Sequence, residues 1–182
     1  MKISLQQLEA LSPRASQFVE PLNVAMERFE IGTPDRVEMF LAQVLYESDG
    51  LCRTRELWGP TPAQCEYEPP GRKAEELGNI TSGDGHRFLG RGLIQLTGRA
   101  NYRSCGRALY GDDRLLDEPE LLERPQAACL SAAWFWHGHG LNQAADAGDF
   151  AAITRRINGG LSGYAGRMAW RARVRRVLRP PR

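Results

Sequence analysis

Apolar residues recur at spacings of three and four along most of this chain, a pattern that predicts a mainly helical fold. The clearest helix start lies at residues 33–35. Thr33 can cap the helix, Pro34 suits its first position, and Asp35 is favourable in its first turn. Gly50 is expected to end this helix. Its apolar stripe contains Val37, Phe40, Leu41, Val44 and Leu45.

The same spacing predicts helices on both sides of this one. One is expected over residues 16–30. Pro21 is expected in its first turn, where no helical hydrogen bond is lost. Further helices are expected after Gly98, after Pro125, from the N-cap Asp149 through Ile157, and over about residues 164–178.

The region from Gly59 to Gly92 lacks helical periodicity and is punctuated by proline and glycine. An irregular stretch of this length inside a compact domain is often functional. The short run over residues 93–97 is predicted to form a small strand. Because no repeat or linker interrupts the chain, residues 1–182 are predicted to form one mainly α (α+β) domain with a small β element, without a separate wall-binding module.

Composition excludes several classes of protein. Hydrophobic residues make up 42% of the 182 residues, which is enough for a core, but no apolar run approaches the roughly 18–20 residues of a membrane-spanning helix. The first 21 residues lack the continuous apolar segment of a secretory signal. Four scattered cysteines without a CxxC motif predict free thiols, and the three histidines predict no metal site.

Positive charge is concentrated near the C-terminus, although the formal net charge is only +2. No acidic residue follows Asp149. A solvated helix face is the simplest interpretation, and contact with an anionic bacterial envelope is the functional one. Nucleic-acid binding is the disfavoured alternative. The arginines expected to make the envelope contact are Arg171, Arg173, Arg175, Arg176, Arg179 and Arg182.

Two glutamates flank the turn that follows the helix starting at residue 34. Glu47 lies at the edge of the apolar stripe, directly before residues 48–50, so it can be half-buried at the wall of a cleft. Glu56 follows beyond the turn. Hydrolysis of a glycosidic bond needs one carboxyl to protonate the leaving oxygen and another to activate water. The spacing permits such a pair, but ordinary surface glutamates paired with Arg53 or Arg55 are the alternative.

Polar and aromatic residues around the irregular middle are suited to binding a sugar. Gln95, Thr97 and Asn101 offer neutral donors and acceptors for sugar hydroxyls and acetamido groups. Trp58 and Tyr102 can stack on pyranose rings, although a core position is favoured for Tyr102. These residues predict a sugar cleft lined by the irregular middle.

Three segments carry a resemblance to one enzyme family. Residues 40–50, FLAQVLYESDG, resemble the FLAQ…HES/TGG segment of glycoside hydrolase family 19. Residues 90–102, GRGLIQLTGRANY, are similar to the family's GRGPIQLTxxxNY segment. Residues 157–160 match its INGG, and Arg167 stands where an arginine follows. The version here, SGDGxRFxGRGLIQLTGR, most resembles the phage and prophage endolysins of the family.

This resemblance implies a lysozyme-like, mostly helical fold and hydrolysis with inversion at the anomeric carbon. It implies that Glu47 is the general acid, that Glu56 is the general base, and that Thr97 helps to hold the attacking water. Trp58 and Tyr102 join the expected substrate contacts. The polar residues that the resemblance adds to the substrate site are Gln95, Asn101, Asn158 and Arg167, the last in the network of the acid.

Two departures from the family pattern bear on these assignments. Tyr46 stands where the family usually has histidine. The segment between Glu56 and Gly83 is short and rich in proline, so the lobe of the groove must differ. Glu66 and Glu68 therefore remain alternative bases.

An enzyme of this kind implies peptidoglycan strands as the partner, no cofactor, a monomer, and cell lysis by cleavage of β-1,4 glycosidic bonds. It also implies accumulation in the bacterial cytoplasm until a holin-type partner releases it to the wall. Chitinase activity on N-acetylglucosamine polymers remains open, because the two bonds are chemically alike. Outside the enzyme class the alternative is a glycan-binding module, which would have no use for an acid/base pair.

Overall fold

The computed structural model describes residues 1–179, and within them helices dominate, as the periodicity predicts. A 3-10 helix spans Pro119–Glu123. The α-helices are α1 (Leu5–Glu9), α2 (Ala15–Arg28), α3 (Pro34–Glu47), α4 (Pro62–Cys65), α5 (Arg72–Leu77), α6 (Asp84–Arg87), α7 (Arg99–Tyr110), α8 (Arg114–Asp117), α9 (Pro125–Gly138), α10 (Leu141–Asp146), α11 (Phe150–Asn158) and α12 (Tyr164–Leu178).

Local capping explains where the helices around the site begin. Thr33 Oγ1 accepts a hydrogen bond from the N–H of Arg36 at 3.3 Å, which caps α3 as expected. The Asp149 carboxylate accepts from the N–H of Ala152 at 2.8 Å and caps α11. The predicted helix over residues 164–178 is confirmed as α12.

Pro21 lies in the second turn of α2, so the expectation of a first-turn proline is wrong. Proline cannot donate to the carbonyl four residues earlier, here that of Gln17. Because Gln17 is exposed, water can hydrate that carbonyl, and the apolar face of α2 holds the helix together by packing.

The predicted strand over residues 93–97 is also wrong. Gly92 and Gln95 both adopt left-handed backbone conformations, with φ of 80° and 58°, and they turn the chain back on itself. The β structure within residues 1–179 is limited to two isolated antiparallel bridges, which pair Arg91 with Arg55 and with Leu96. These bridges bring the segment before Glu56 against residues 90–92.

Helix α3 runs through the centre of the fold, where every residue from Val37 to Leu45 is buried. Phe40 packs edge-on against Trp136 of α9, with ring centroids 5.4 Å apart. Two polar residues of α3, Glu38 and Gln43, are also fully buried. The arginines that compensate them come from α12, which packs along α3, and Thr154 of α11 is a further partner of Gln43.

Several arginines of α12 face α3 and its acidic residues. Glu38 accepts hydrogen bonds from Arg171 at 2.8 Å and from Arg175 at 2.9 Å. Arg179 pairs with Asp35 at 2.7 Å. The interpretation as a solvated face is therefore wrong for Arg171 and Arg175, which pair with the buried Glu38, whereas Arg173 and Arg176 are exposed. Arg182 lies outside the described residues.

The remaining composition-based expectations concern thiols and membranes. All four cysteines are free thiols, Cys52 and Cys65 exposed, Cys105 and Cys129 buried. Burial raises the pKa of Cys105 to about 12. Within residues 1–179 no helix combines the length and the apolar character that crossing a membrane requires.

Candidate active site

Glu47 is the last residue of α3, and an unusual turn follows it. Asp49, Gly50 and Leu51 all have left-handed backbone conformations, with φ of 50°, 66° and 68°. The Gly50 N–H donates to the carbonyl of Leu45 at 2.8 Å, and the Ser12 hydroxyl donates to the carbonyl of Gly50 at 2.6 Å. Such conformations persist when the surroundings enforce them, and they cluster at functional sites. This turn fixes the direction of the chain that leaves Glu47.

The Glu47 carboxyl is half-buried and contacts the guanidinium of Arg167, which is itself buried. Arg167 Nη2 donates to Glu47 Oε1, and Nη1 donates to Oε1 of Gln43. Gln43 Nε2 in turn donates to the hydroxyl of Thr154 at 3.0 Å. Within residues 1–179 no donor reaches Glu47 Oε2. One oxygen of Glu47 is therefore anchored while the other remains available for a proton.

Tyr46 supports this network from the opposite side. The Arg167 guanidinium lies over the Tyr46 ring, 4.4 Å from its centroid. The same ring packs against two glycines of the segment that starts α12. An added Cβ would lie 2.1 Å from Tyr46 Oη at Gly163 and 2.5 Å from Tyr46 Cε2 at Gly166. The residue that departs from the family pattern therefore packs closely against the first turn of α12 and against Arg167 of the same helix.

Glu56 is held on the other side of the turn by two N–H donors. The Gly90 N–H donates to Oε2 at 2.9 Å, and Gln64 Nε2 donates to Oε1 at 2.8 Å. A Cβ at Gly90 would lie 3.2 Å from Glu56 Oε2 and 3.1 Å from Gln95 Oε1, so glycine allows this close approach. In both contacts an N–H group donates to the Glu56 carboxylate, and a carboxylate is the form in which a glutamate acts as a general base.

Gln64 is a site residue that the sequence analysis missed. Its side chain is nearly fully buried, and its Nε2 also donates to the carbonyl of Leu57 at 2.7 Å. The signal available for it was the capping box of α4, in which Thr61 and Gln64 cap each other's backbone N–H. That pattern predicts a helix start, but it does not indicate that the amide also reaches Glu56.

The predicted sugar-binding polar residues form a chain of hydrogen bonds after Gly92. Gln95 Nε2 donates to the carbonyl of Gly92 at 2.8 Å. The Thr97 hydroxyl donates to the carbonyl of Gln95 at 2.9 Å, and Asn101 Nδ2 donates to the carbonyl of Thr97 at 2.7 Å. Each of these three side chains gives one hydrogen bond to the backbone, and their oxygens remain as acceptors for water or sugar.

Trp58 belongs to a small aromatic cluster beside Glu56. Its ring centroid lies 5.2 Å from that of His86 and 6.4 Å from that of Tyr67. Burial, and secondarily the negative charge of Glu56, raise the pKa of the Tyr67 hydroxyl. The Trp58 side chain is only partly buried, so part of this ring can contact a sugar.

Tyr102 lies in the core, so its inclusion among the substrate contacts is wrong. None of its surface is exposed. Its hydroxyl donates to the carbonyl of Leu89 at 2.6 Å and accepts from Arg91 at 3.1 Å. A ring without exposed surface cannot stack on a pyranose, and Tyr102 instead holds the segment before Gly90 in place.

Asn158 and the two alternative bases, Glu66 and Glu68, are the remaining predicted site residues. Asn158 is exposed at the end of α11, and its Nδ2 donates to the carbonyl of Ser162 at 3.2 Å. Glu68 accepts from the N–H groups of Gly83 at 2.8 Å and His86 at 3.2 Å, which anchors the start of α6. Glu66 is exposed. Within residues 1–179 no cluster of three or more histidine, cysteine or acidic side chains could hold a metal ion.

The fold of the chain is similar to those of solved chitinases. Chitinase C from Streptomyces griseus is 23% identical, with a TM-score of 0.74 over 97% of this chain and 76% of that one. A class IV chitinase from Zea mays is 22% identical, with a TM-score of 0.66 over 98% and 87% of the two chains. At these identities the similarity establishes a shared lysozyme-like, mainly helical fold.

The sequence is also similar to a family model and to curated proteins. A glycosyl hydrolase family 19 domain-containing protein of Haemophilus influenzae is 32% identical over 151 residues, which cover 69% of this chain and 71% of that protein. Endochitinase 1 of Theobroma cacao is 33% identical over 173 residues, 76% of this chain and 49% of that protein. The chain spans about half or less of the plant endochitinases it matches. Residues 34–154 match the family model described as Chitinase class I, and the chain therefore belongs to glycoside hydrolase family 19 and is a glycoside hydrolase.

Proposed function

We propose that this hydrolase cleaves the β-1,4 glycosidic bonds of peptidoglycan by inverting acid/base catalysis, with Glu47 as the acid and Glu56 as the base. The observation that carries the proposal is the contrast between the two carboxyls. Only one oxygen of Glu47 accepts a hydrogen bond, from the Arg167 guanidinium, whereas both oxygens of Glu56 accept hydrogen bonds from N–H groups. Inversion needs two such groups about 6.5–9.5 Å apart, with room for water between sugar and base.

In the acid step, Glu47 transfers a proton from Oε2 to the oxygen that leaves the anomeric carbon. The reaction leaves a carboxylate on Glu47, and the Arg167 guanidinium stabilises that charge through its bond to Oε1. Tyr46 and Gln43 keep the guanidinium in position. Loss of Arg167 is therefore expected to lower kcat more than it raises KM.

In the base step, Glu56 removes a proton from the attacking water. The Thr97 hydroxyl already donates its only proton to the carbonyl of Gln95, so it can only accept a hydrogen bond from that water. One water proton then points to Glu56 and the other to Thr97, which leaves an oxygen lone pair for the anomeric carbon. The free oxygens of Gln95, Asn101 and Asn158 provide acceptors for sugar hydroxyls and acetamido N–H groups.

The sequence of the irregular middle favours peptidoglycan over chitin as the substrate. Residues 82–99 resemble the endolysins of the family. Chitin is the second candidate, because several curated relatives are named endochitinases. Both polymers present β-1,4 bonds next to N-acetyl groups, so the proposed acid/base pair can serve either.

Digestion of purified sacculi and of soluble chitin oligomers, with identification of the new reducing ends, tests the proposal. We expect new reducing ends from sacculi with the wild-type enzyme and none with Glu47→Gln, which keeps the size of the side chain. Glu66→Gln, an exposed change of the same kind, should retain full activity. Cleavage of chitin oligomers alone would refute the peptidoglycan assignment, and full activity of Glu47→Gln would refute the role of Glu47.

We also propose that α12 contacts anionic envelope components through those arginines that α3 does not neutralise. Arg173 stacks on Trp170, 4.2 Å from its ring centroid, and both Arg173 and Arg176 are exposed. Arg171 and Arg175 are bound to Glu38 instead. Binding to vesicles with anionic lipid should fall when Arg173 and Arg176 are replaced by glutamine, and unchanged binding would contradict the proposal. Release by a holin-type partner stays a prediction.

A further inference from the structure

A concave pocket of about 440 Å³ lies beside the segment that carries Glu56. Its size is in the range of small-ligand sites. We call it the arginine pocket. The charged residues that line it are Arg55, Arg87, Arg91, Arg99, Asp84 and Glu120.

Positive charge exceeds negative charge in the arginine pocket. Asp84 is fully engaged by Arg99, at 2.6 Å. Arg91 is shared between Glu120 at 3.3 Å and Glu123, just outside the lining, at 2.7 Å. Four arginines thus face two lining carboxylates and Glu123, which leaves a formal charge of about +1.

Arg87 and Arg55 are the arginines with donors to spare. Within residues 1–179 no carboxylate pairs with Arg87. Its Nε donates to the carbonyl of Leu116 at 3.2 Å, and its Nη2 donates to the carbonyls of Leu116 at 2.7 Å and Asp117 at 3.2 Å, which leaves Nη1 as the donor to spare. The Arg55 side chain is 42% exposed, and its contact with Glu123 is long, at 3.4 Å. Guanidinium groups with free N–H donors suit a carboxylate. Arg55 can bind it through the parallel N–H groups of Nε and Nη2, and Arg87 through Nη1.

Backbone contacts connect the arginine pocket to the proposed base. Arg55 precedes Glu56 and pairs with Arg91 in an antiparallel bridge, and Gly90, next to Arg91, donates to the Glu56 carboxylate. Neighbouring side chains on extended backbone point to opposite sides. The pocket therefore faces away from Glu56 and is placed for a substituent of the glycan, not for the sugar ring that is cut.

The aromatic cluster provides a second connection. His86 lines the arginine pocket and contacts Trp58, with ring centroids 5.2 Å apart and the ring planes tilted by 59°. Trp58 lies two residues after Glu56. A glycan that contacts the exposed part of Trp58 is therefore one side chain away from a residue that lines the pocket.

We infer that the arginine pocket binds a carboxylate carried by the muramic acid unit, with Arg55 and Arg87 as the recognising donors. This inference rests on the proposed peptidoglycan hydrolysis and explains how the enzyme distinguishes that polymer from chitin, which carries no carboxylate. The carboxylate belongs either to the stem peptide or to the lactyl group that remains when the peptide is removed.

Arg55→Ala, Arg55→Lys and the control Arg53→Ala test the inference on three substrates: glycan strands with stem peptides, strands freed of peptide by an amidase, and chitin oligomers. Arg53 is a suitable control because it is an exposed arginine two residues away, paired only loosely with Asp49 at 3.6 Å. On the strands that supply the carboxylate, Arg55→Ala should lower kcat/KM about tenfold, mainly through KM, the loss expected for one charged hydrogen bond. Arg55→Lys should recover part of that loss.

The pattern across substrates identifies the ligand. A loss confined to peptide-bearing strands assigns the stem peptide. A loss confined to the amidase-treated strands assigns the lactyl carboxylate, which is free only there, and a loss on both kinds of strand shows that the pocket accepts either carboxylate. On chitin oligomers Arg55→Ala should match Arg53→Ala. Equal losses on all three substrates, or no loss on any, would overturn the inference while leaving the proposed function intact. Failure of the wild-type enzyme to cleave either kind of strand would overturn both.

Discussion

Replacing Gly163 by alanine should measure how tightly Tyr46 is held against the start of α12. Gly163 has φ of 71°, and an added Cβ would lie 2.1 Å from Tyr46 Oη. Gly148 has a similar φ of 74°, but no atom lies within 4 Å of its added Cβ. Gly148→Ala is therefore a matched control that carries the backbone strain without the overlap.

The comparison separates two contributions to the loss of stability, the strain of the left-handed backbone and the overlap with Tyr46. The left-handed backbone costs an L-residue about 1–2 kcal/mol at either position. The overlap with Tyr46 adds about 1–3 kcal/mol at Gly163 alone, as in other overpacked sites. Gly163→Ala should therefore lower the free energy of unfolding by about 2–5 kcal/mol, which corresponds to a Tm about 4–20 °C lower for a chain of this size.

Urea unfolding of both variants, in the wild-type and the Tyr46→Ala background, provides the assay. In the Tyr46→Ala background, Gly163→Ala should lower the free energy of unfolding no more than Gly148→Ala does, because the overlapping atoms are gone. Gly163→Ala should also lower kcat, since a displaced Tyr46 no longer supports Arg167. Equal destabilisation by Gly163→Ala and Gly148→Ala would refute the packing argument.

Three further predictions concern stability and thiol chemistry. Glu38→Ala should destabilise the fold by about 3 kcal/mol or more, since it leaves the arginines of α12 without their buried partner, whereas the exposed Glu27→Ala should cost under about 1 kcal/mol by thermal unfolding. Burial opposes ionisation of Asp84, but hydrogen bonds from Arg99 and two backbone N–H groups lower its pKa. The stability it contributes is present above about pH 4 and lost as the pH falls through its folded pKa, so Asp84→Asn should cost more at pH 7 than at pH 3. A thiol reagent should label the two exposed cysteines in the native protein and the two buried ones only after unfolding, and labelling of all four at once would contradict the burial.

Local signals predicted the long helices well because their causes are local, whereas the short helices α4, α5 and α6 lie in the region that was expected to be irregular. Thr33, Pro34 and Asp149 start helices by chemistry within one turn of the chain. The expected strand over residues 93–97 failed because Gln95 adopts a left-handed conformation, which its residue type does not signal. An apolar run of that length is equally compatible with a buried turn.

Burial of α3 on all sides could not be predicted from its own sequence. Its stripe indicated one apolar face, but Glu38 and Gln43 are buried because arginines from α12 compensate them. Those partners lie 133 and 124 positions away along the chain. Pairing over such separations leaves no periodic pattern that a sequence window can reveal.

The candidate site was predictable mainly through motifs. Glu47, Glu56 and Arg167 were reached by resemblance to a family, since spacing alone permitted ordinary surface ion pairs. Gln64 was missed because its role depends on a contact made eight residues back along the chain. Tyr102 was ambiguous because an aromatic ring can serve a core or a sugar, and only its burial decides between them.

The anomeric form of the first product tests the central claim most directly. Digestion of soluble peptidoglycan strands can be followed by proton NMR before mutarotation equilibrates the two anomers of the new reducing end. Glu56 activates a water molecule on the face of the sugar opposite to the side from which Glu47 protonates the leaving oxygen. The α-anomer must therefore form first, and Glu56→Gln must abolish its appearance. Initial formation of the β-anomer, or an unchanged rate in Glu56→Gln, would contradict the account.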